Sequence, residues 1–136
     1  MKVKQFELWI ADLNPRIRTE TGKIQPVVII QTDLLNKSHP STIVCPVTTN
    51  VQTESDILRV HLTKGTANVK EDCDIMIDQI RAIDNSRLMH RIGQLDDPIK
   101  NKIKENIKIV LDLDWKARPP TPAKSIKTLF SRDPLG

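Results

Sequence analysis

The chain is poor in the residues that build the common phosphate-binding and hydrolase motifs. Only four glycines occur in 136 residues, and the sequence contains no glycine-rich phosphate loop, HExxH helix, EF-hand loop or GxSxG turn. The three histidines are scattered, and none has a nearby cysteine or serine in a nucleophile-like setting. These absences exclude the most familiar nucleotide-binding, metalloprotease, calcium-binding and serine-hydrolase motifs.

Cysteines and long apolar runs are also scarce. Cys45 and Cys73 lie in separate apolar segments without a CxxC or Cys/His cluster, so we expect buried, reduced thiols and no structural metal. No apolar run approaches the ~20 residues that a membrane span requires, and Glu7 and Asp12 interrupt the first apolar run, so no signal-peptide core is predicted. We therefore expect a cytoplasmic protein with no membrane segment.

The positive charge is confined to one end of the chain. Residues 1–115 hold 16 basic and 16 acidic residues, whereas residues 116–136 hold five basic residues and one acidic residue. The second segment also carries four of the nine prolines, so it reads as an extended tail with a short apolar cluster at Ile126, Leu129 and Phe130. The sequence thus predicts one domain, 1–115, followed by a proline-rich basic tail, 116–136.

Short runs rich in β-branched residues predict strands at 6–13, 26–31, 41–48 and 57–62. The run 57–62 alternates, which places Arg59 and His61 on the polar face and predicts a surface position for His61. A longer run, 73–83, changes its apolar face near Asp78 to Ile80. Such a change predicts one strongly bent strand that passes between two layers of a small barrel.

One segment has helical periodicity. Its apolar residues recur on one face, at Ile99, Ile103, Ile107, Val110 and Leu111. Pro98 suits the first helical position, and Asp97 is the predicted N-cap. The segment before it, 84–92, predicts a shorter helical turn capped by Asp84 or Asn85. The predicted fold is therefore mostly β with one C-terminal helix.

Two polar loops follow the first and third predicted strands. Their polar residues are Arg16, Arg18, Thr19, Glu20, Thr21 and Lys23 in one loop and Thr48, Thr49, Asn50 and Thr53 in the other. Guanidinium, ammonium and hydroxyl groups suit phosphodiester oxygens better than an apolar ligand. The loops could face each other across a barrel mouth, or they could be ordinary solvated loops.

Five segments between Val3 and Trp115 follow a recognisable order: ELWIADLNP, TETGKIQPVVIIQ, TIVCPVTT, IDQIRAIDNSRL and IGQLDD. Together they resemble the MazF/PemK (Kid-like) family of toxin endoribonucleases. The resemblance implies a small SH3-like (CcdB/PemK-type) β-barrel with a C-terminal helix, and a homodimer. It also implies metal-independent cleavage of single-stranded RNA such as mRNA, which leaves 2′,3′-cyclic phosphate and 5′-OH ends, and inhibition by a cognate antitoxin.

The resemblance assigns roles to single positions. Thr48 falls on the family's catalytic threonine, which can hydrogen-bond the scissile phosphate or the attacking hydroxyl. The predicted RNA-binding residues come from the loops and from a strand that lines the groove: Arg18, Thr19, Glu20, Lys23, Thr49, Asp78, Gln79 and Arg81. We expect Gln79 and Arg81 to share a strand face and to present an amide and a guanidinium to bases. Strand-end or solvent-facing structural roles are the alternative for all of these residues.

The sequence departs from the family pattern at Gln25, where the family places an arginine before the proline. By resemblance, that arginine assists proton transfer and stabilises the charged transition state. A glutamine amide donates hydrogen bonds but carries no charge and exchanges no proton at useful pH. Loss of a general acid or base typically costs ~10²–10⁴ in rate, so we predict weak or absent cleavage, with Gln25 and Thr48 at the catalytic positions.

Several explanations remain open from the sequence. The glutamine could be a deliberate inactivation of a growth-arresting nuclease, or it could be natural, with Arg18 or Lys23 supplying the missing charge. The chain could instead be a binding module of the same fold, such as a CcdB-like gyrase poison. The tail could contact RNA phosphates, fold back along a dimer groove in place of an antitoxin, or be inert.

Overall fold

A computed structural model describes residues 2–15, 18–19 and 23–113 of the protein. Its strands are β1 Glu7–Asp12, β2 Ile24–Ile29, β3 Ser41–Thr48, β4 Arg59–Leu62, β5 Cys73–Met76, β6 Arg81–Asp84 and β7 Leu88–Gln94. Its α-helices are α1 Asp33–Asn36 and α2 Asp97–Leu111, and 3-10 turns occupy Thr66–Asn68, Ile77–Gln79 and Asn85–Arg87. The predicted tail, 116–136, lies outside the described residues.

The strands form one antiparallel sheet in the order β4-β5-β3-β2-β1-β7. The long strand β3 branches this path, because Val47 and Thr48 pair with β5 while residues 41–44 pair with β6. Among the described residues, β4 and β7 stand at the two ends of the path, so the sheet remains open. The predicted fold class, mostly β with a C-terminal helix, is confirmed.

Successive side chains of each strand point to opposite faces of the sheet, and each face carries its own hydrophobic core. One core includes Leu8, Val28, Cys45 and Ile75. Helix α2 covers it with Ile103, which is fully buried, and with partly buried neighbours. The other core lies on the opposite face of the same strands, and its members are Val3, Trp9, Ala11, Leu13, Val27, Ile29, Val44, Ile83 and Leu88. Cys45 and Cys73 are buried free thiols, as expected.

The segment 73–83 is not the single bent strand that its pattern predicts. A 3-10 turn, Ile77–Gln79, separates β5 from β6, and both strands pair with β3. The turn lies where the apolar face changes sides, so the position of the change was predicted and its cause was not. Two short strands joined by a tight turn achieve the change of direction without a bulge.

The N-terminal end of α2 differs from the predicted one by a single residue. Asp96, not Asp97, is the N-cap, and its carboxylate accepts the Ile99 amide hydrogen at 3.2 Å. Pro98 lies in the first turn, where a missing amide hydrogen costs nothing. Asp84 caps the short turn Asn85–Arg87, as one of the two predicted alternatives. Among the described residues, no helix is long and apolar enough to cross a membrane.

Candidate active site

A row of polar side chains crosses four neighbouring strands. Thr48 of β3 lies opposite Asp74 of β5, and Asp74 lies opposite His61 of β4. The register between β2 and β3, carried two residues beyond its last pair, brings Gln25 alongside Thr48. Because directly opposite residues of antiparallel strands project from the same face, these four side chains lie on one face of the sheet. We call them the polar row.

Gln25 is a buried amide that makes one hydrogen bond. The residue is 6% exposed, and its Nε2 donates to the Val47 carbonyl at 2.9 Å. Its Oε1 is buried and has no hydrogen-bond partner within the described part of the chain. Because the Val47 carbonyl can only accept, the orientation of the amide is fixed. Within the described part of the chain, the surroundings of position 25 therefore offer a hydrogen-bond acceptor and no donor, which suits a side chain with donors only.

Thr48 ends β3 and is partly exposed. Its Oγ1 accepts the amide hydrogen of Asn50 at 3.1 Å, as threonines that start turns commonly do. A hydroxyl group has one proton and two lone pairs. Since the turn engages a lone pair, the proton of Thr48 remains available for an oxygen of a ligand. Thr49, the next residue, is exposed.

Asp74 and His61 are the members of the row that the sequence analysis did not select as site residues. Asp74 is 0% exposed. It pairs with Arg59 at 3.1 Å and with His61 at 2.5 Å. The alternation of β4 correctly placed Arg59 and His61 on one face, but nothing local indicated that this face meets a buried carboxylate. His61 itself is exposed, with a side-chain exposure of 39%, which confirms its predicted surface position.

The loop between β1 and β2 is described only at its two ends and at Arg18 and Thr19, which are exposed. At its base, the Lys23 amide donates to Asn14 Oδ1 at 2.6 Å, and the Leu13 amide donates to the Lys23 carbonyl at 2.9 Å. Lys23 is exposed and lies two residues before Gln25. Predicted residue Glu20 lies outside the described residues. The structure therefore brings the Lys23 end of this loop to the polar row.

The predicted groove residues 78, 79 and 81 are placed differently from expectation. Asp78 and Gln79 lie in the 3-10 turn before β6, so Gln79 does not share a strand face with Arg81. Arg81 pairs with Val44, four residues before Thr48, which is roughly 13 Å along a strand. Its Nη1 is buried with no hydrogen-bond partner among the described residues. Arg81 therefore shares the face of the polar row but lies at a distance from Thr48.

A cavity of about 460 Å³ adjoins the same strands. Its apolar lining includes Ile10, Pro26 and Val47, which project from the face opposite the polar row, and Thr48 and Thr49 line it at the end of β3. Its polar lining on other elements is Asn68, Lys70, Glu71, His90 and Arg91. A mostly apolar space beside a few polar groups is typical of ligand sites.

Comparisons with known proteins agree with this architecture. The chain is 34% identical over 113 residues to the endoribonuclease EndoA of Bacillus subtilis strain 168, a match that covers 83% of this chain and 97% of EndoA. MazF from Deinococcus radiodurans superposes with a TM-score of 0.72 at 17% identity, covering 83% of this chain and 99% of that chain. A mycobacterial endoribonuclease in complex with its cognate antitoxin superposes with a TM-score of 0.63 at 16% identity, covering 88% and 97% of the two chains.

The family assignment rests on sequence over most of the described fold. Residues 4–111 match the family described as the PemK-like, MazF-like toxin of type II toxin-antitoxin systems. This span runs from three residues before β1 to the end of α2 and includes every member of the polar row. The resemblance seen in the sequence is thereby confirmed: the chain belongs to the PemK-like, MazF-like family of toxin endoribonucleases.

Proposed function

We propose that this protein is a sequence-specific, metal-independent endoribonuclease toxin whose cleavage step is attenuated because Gln25 occupies the position of an arginine. The observation that carries the proposal is the adjacency of Gln25 and Thr48 on one face of the sheet. Gln25 Nε2 already bonds the strand of Thr48 through the Val47 carbonyl at 2.9 Å. The two residues that the family pattern selects thus lie side by side.

The environment of position 25 supports an arginine there. The Val47 carbonyl accepts one hydrogen bond, and the amide oxygen of Gln25 finds no donor among the described residues. An arginine carries five N–H donors and no acceptor. It could keep the bond to Val47, leave no buried oxygen without a partner, and direct its remaining donors toward a phosphate.

In the proposed reaction, the ribose 2′-oxygen attacks the adjacent phosphorus and the bond from phosphorus to the 5′-oxygen breaks. The 2′-hydroxyl loses its proton and the departing 5′-oxygen gains one, which gives the 2′,3′-cyclic phosphate and 5′-OH ends. Thr48 donates a hydrogen bond from its hydroxyl to a nonbridging phosphate oxygen, where negative charge develops in the transition state. Gln25 can supply a neutral hydrogen bond but no proton exchange, so the step is slow.

The proposed partners follow from the family and from charge. Single-stranded RNA such as mRNA is the substrate, and Arg18, Thr19, Lys23 and Thr49 are its candidate contacts at the exposed loops. We propose a homodimer, a cytoplasmic location and a cognate antitoxin, since one structural neighbour is an endoribonuclease in complex with its cognate antitoxin. Glu20, Asp78, Gln79 and Arg81 remain proposed RNA contacts.

The test is cleavage of a long unstructured, end-labelled RNA in EDTA by the chain as it stands and by Gln25→Arg. A Gln25→Arg, Thr48→Val double variant is the matched control, because it restores the charge and removes only the hydroxyl. We expect cleavage at a short repeated sequence by Gln25→Arg alone. Cleavage by the original chain as well would show that Arg18, Lys23 or another group supplies the charge. Cleavage by none of the three would refute the nuclease assignment and make inhibition of gyrase the next assay.

A further inference from the structure

Asp74 is a fully buried carboxylate that the proposed chemistry does not use. Its Oδ2 accepts the amide hydrogen of Gln52 at 2.8 Å and a hydrogen from Arg59 Nη1 at 3.1 Å. Its Oδ1 lies 2.5 Å from His61 Nδ1. Because a carboxylate only accepts, the hydrogen of this bond is carried by His61 Nδ1. A buried charge is costly unless it is paired and hydrogen-bonded, so three donors from two separate segments converge on it.

Two contacts of this cluster hold the turn that follows β3. Asp74 binds the Gln52 amide directly. Arg59 Nη1, which binds Asp74, also donates to the Asn50 carbonyl at 3.1 Å. Both backbone groups belong to residues 49–52, the turn that begins immediately after Thr48. The turn is therefore attached to β4 and β5 at two points.

The attachment continues to the hydroxyl of Thr48. Arg59 fixes the carbonyl of Asn50, and the amide of the same residue donates to Thr48 Oγ1 at 3.1 Å. Thr48 and Asp74 are also directly opposite in their strands. A continuous series of contacts thus runs from the buried carboxylate, through Arg59 and Asn50, to Thr48 Oγ1. The hydrogen bond that this oxygen accepts limits the directions in which the hydroxyl proton can point.

We propose that Asp74, with Arg59 and His61, is a positioning group that holds the turn 49–52 so that Thr48 directs its hydroxyl proton toward the scissile phosphate. This inference rests on the proposed function for the role of Thr48, but the mechanical coupling from Asp74 to Thr48 can be measured without catalysis. None of the three residues touches the reacting atoms in this scheme.

Asp74→Asn is the principal variant, because it keeps the shape of the side chain and replaces one acceptor oxygen with a donor. Asp72→Asn is its matched control. Asp72 precedes β5, is exposed, and accepts the Lys64 amide hydrogen at 2.8 Å, in the segment that joins β4 to β5. If Asp74→Asn fails to fold, Arg59→Met removes the contact to Asn50 while His61 and Gln52 still bind Asp74.

The first measurement uses two-dimensional NMR on the chain with Gln25 unchanged. Asp74→Asn and Arg59→Met are expected to shift the Asn50 and Gln52 amide signals and to lower the order parameter of the Thr48 methyl group. The second measurement uses RNA cleavage in a Gln25→Arg background. There kcat is expected to fall on the order of 10²-fold, as for a small displacement of a catalytic group, while KM stays near that of the parent.

The outcomes distinguish failure of the positioning role from failure of the proposed nuclease function. Thr48 mobility with a selective loss of kcat, absent in Asp72→Asn, supports positioning. Unchanged Asn50, Gln52 and Thr48 signals, or a fall in kcat no larger than that of Asp72→Asn, overturns it. If the Gln25→Arg parent does not cleave RNA, the proposed function fails, and the NMR comparison alone still supports or overturns the coupling.

Discussion

Gln25 and Asp74 are two buried polar residues on the same face of the sheet, and their surroundings differ. Asp74 has a donor for each oxygen and is held by Arg59, His61 and the Gln52 amide. Gln25 has one hydrogen bond and one buried oxygen without a partner among the described residues.

Buried polar groups normally find partners, and an exception calls for an explanation. At Asp74 the neighbouring residues complement the side chain, so the site is built around that carboxylate. At Gln25 they complement only half of the side chain. This difference supports the proposal that position 25 would accept an arginine, whereas the surroundings of Asp74 complement the residue that is present.

The largest expected effect is on catalysis at position 25. Gln25→Arg should raise the single-turnover rate of RNA cleavage by ~10²–10⁴, since it restores a charged donor at the phosphate. Gln25→Lys is the control for charge alone, because its single ammonium group lacks the fork of donors. Equal rates for the arginine and lysine variants would show that net charge, not the geometry of position 25, limits the reaction.

A smaller but still large effect is expected on stability at Asp74. Asp74→Ala should lower the free energy of unfolding by about 3 kcal/mol, because it leaves the partly buried Arg59 guanidinium without its carboxylate. Urea denaturation followed by circular dichroism measures this value. A loss below about 1 kcal/mol, the range of exposed ion pairs, would mean that the cluster contributes little to the fold.

Gln25→Met should change stability much less. The variant loses the bond to Val47, worth about 1 kcal/mol, and removes a buried oxygen whose desolvation costs about 1–3 kcal/mol. The two effects nearly cancel, so denaturation midpoints of the variant and the parent should be close. A destabilisation as large as that of Asp74→Ala would show that Gln25 is complemented by its surroundings after all.

The smallest effect is expected on the reactivity of Cys73. Burial, with a further contribution from the negative charge of Asp74, raises the pKa of the Cys73 thiol to about 11. Loss of that charge lowers the pKa, so Asp74→Asn should increase the thiolate fraction and the alkylation rate at pH 9–10, and Gln25→Met should not. Iodoacetamide labelling quantified by mass spectrometry tests this difference, with Cys45, whose pKa is raised to about 12, as the internal reference. An unchanged Cys73 rate in Asp74→Asn would indicate that the charge of Asp74 contributes little to the raised pKa of Cys73.

Local pattern predicted several elements well. β3 has its predicted bounds, Ser41–Thr48, because a β-branched run ends at polar residues. The helical periodicity from Ile99 onward predicted α2, although the cap was displaced by one residue. β7 was missed, since Leu88–Gln94 alternates weakly and carries several polar residues. It is a strand because it pairs with β1, which local pattern does not report.

The residues of the candidate site also fall into two groups, those selected from the sequence and those that only strand pairing brings together. The sequence selected Gln25 and Thr48 through the order of family motifs, and the fold places them side by side. It did not select Asp74, Arg59 and His61 as a cluster. Two long-range strand pairings bring these residues together, and an acid in an alternating segment is ordinarily solvated.

The sequence by itself therefore determined the family, the types of the main elements and the departure at position 25, because each depends on residue order or on local periodicity. Only the tertiary structure decided which polar side chains are removed from water and which partners they find there. Burial and pairing depend on strand register between segments far apart in the chain. For this reason the fully hydrogen-bonded carboxylate of Asp74, and the Gln25 oxygen that lacks a partner among the residues the structure describes, became visible only in the folded molecule.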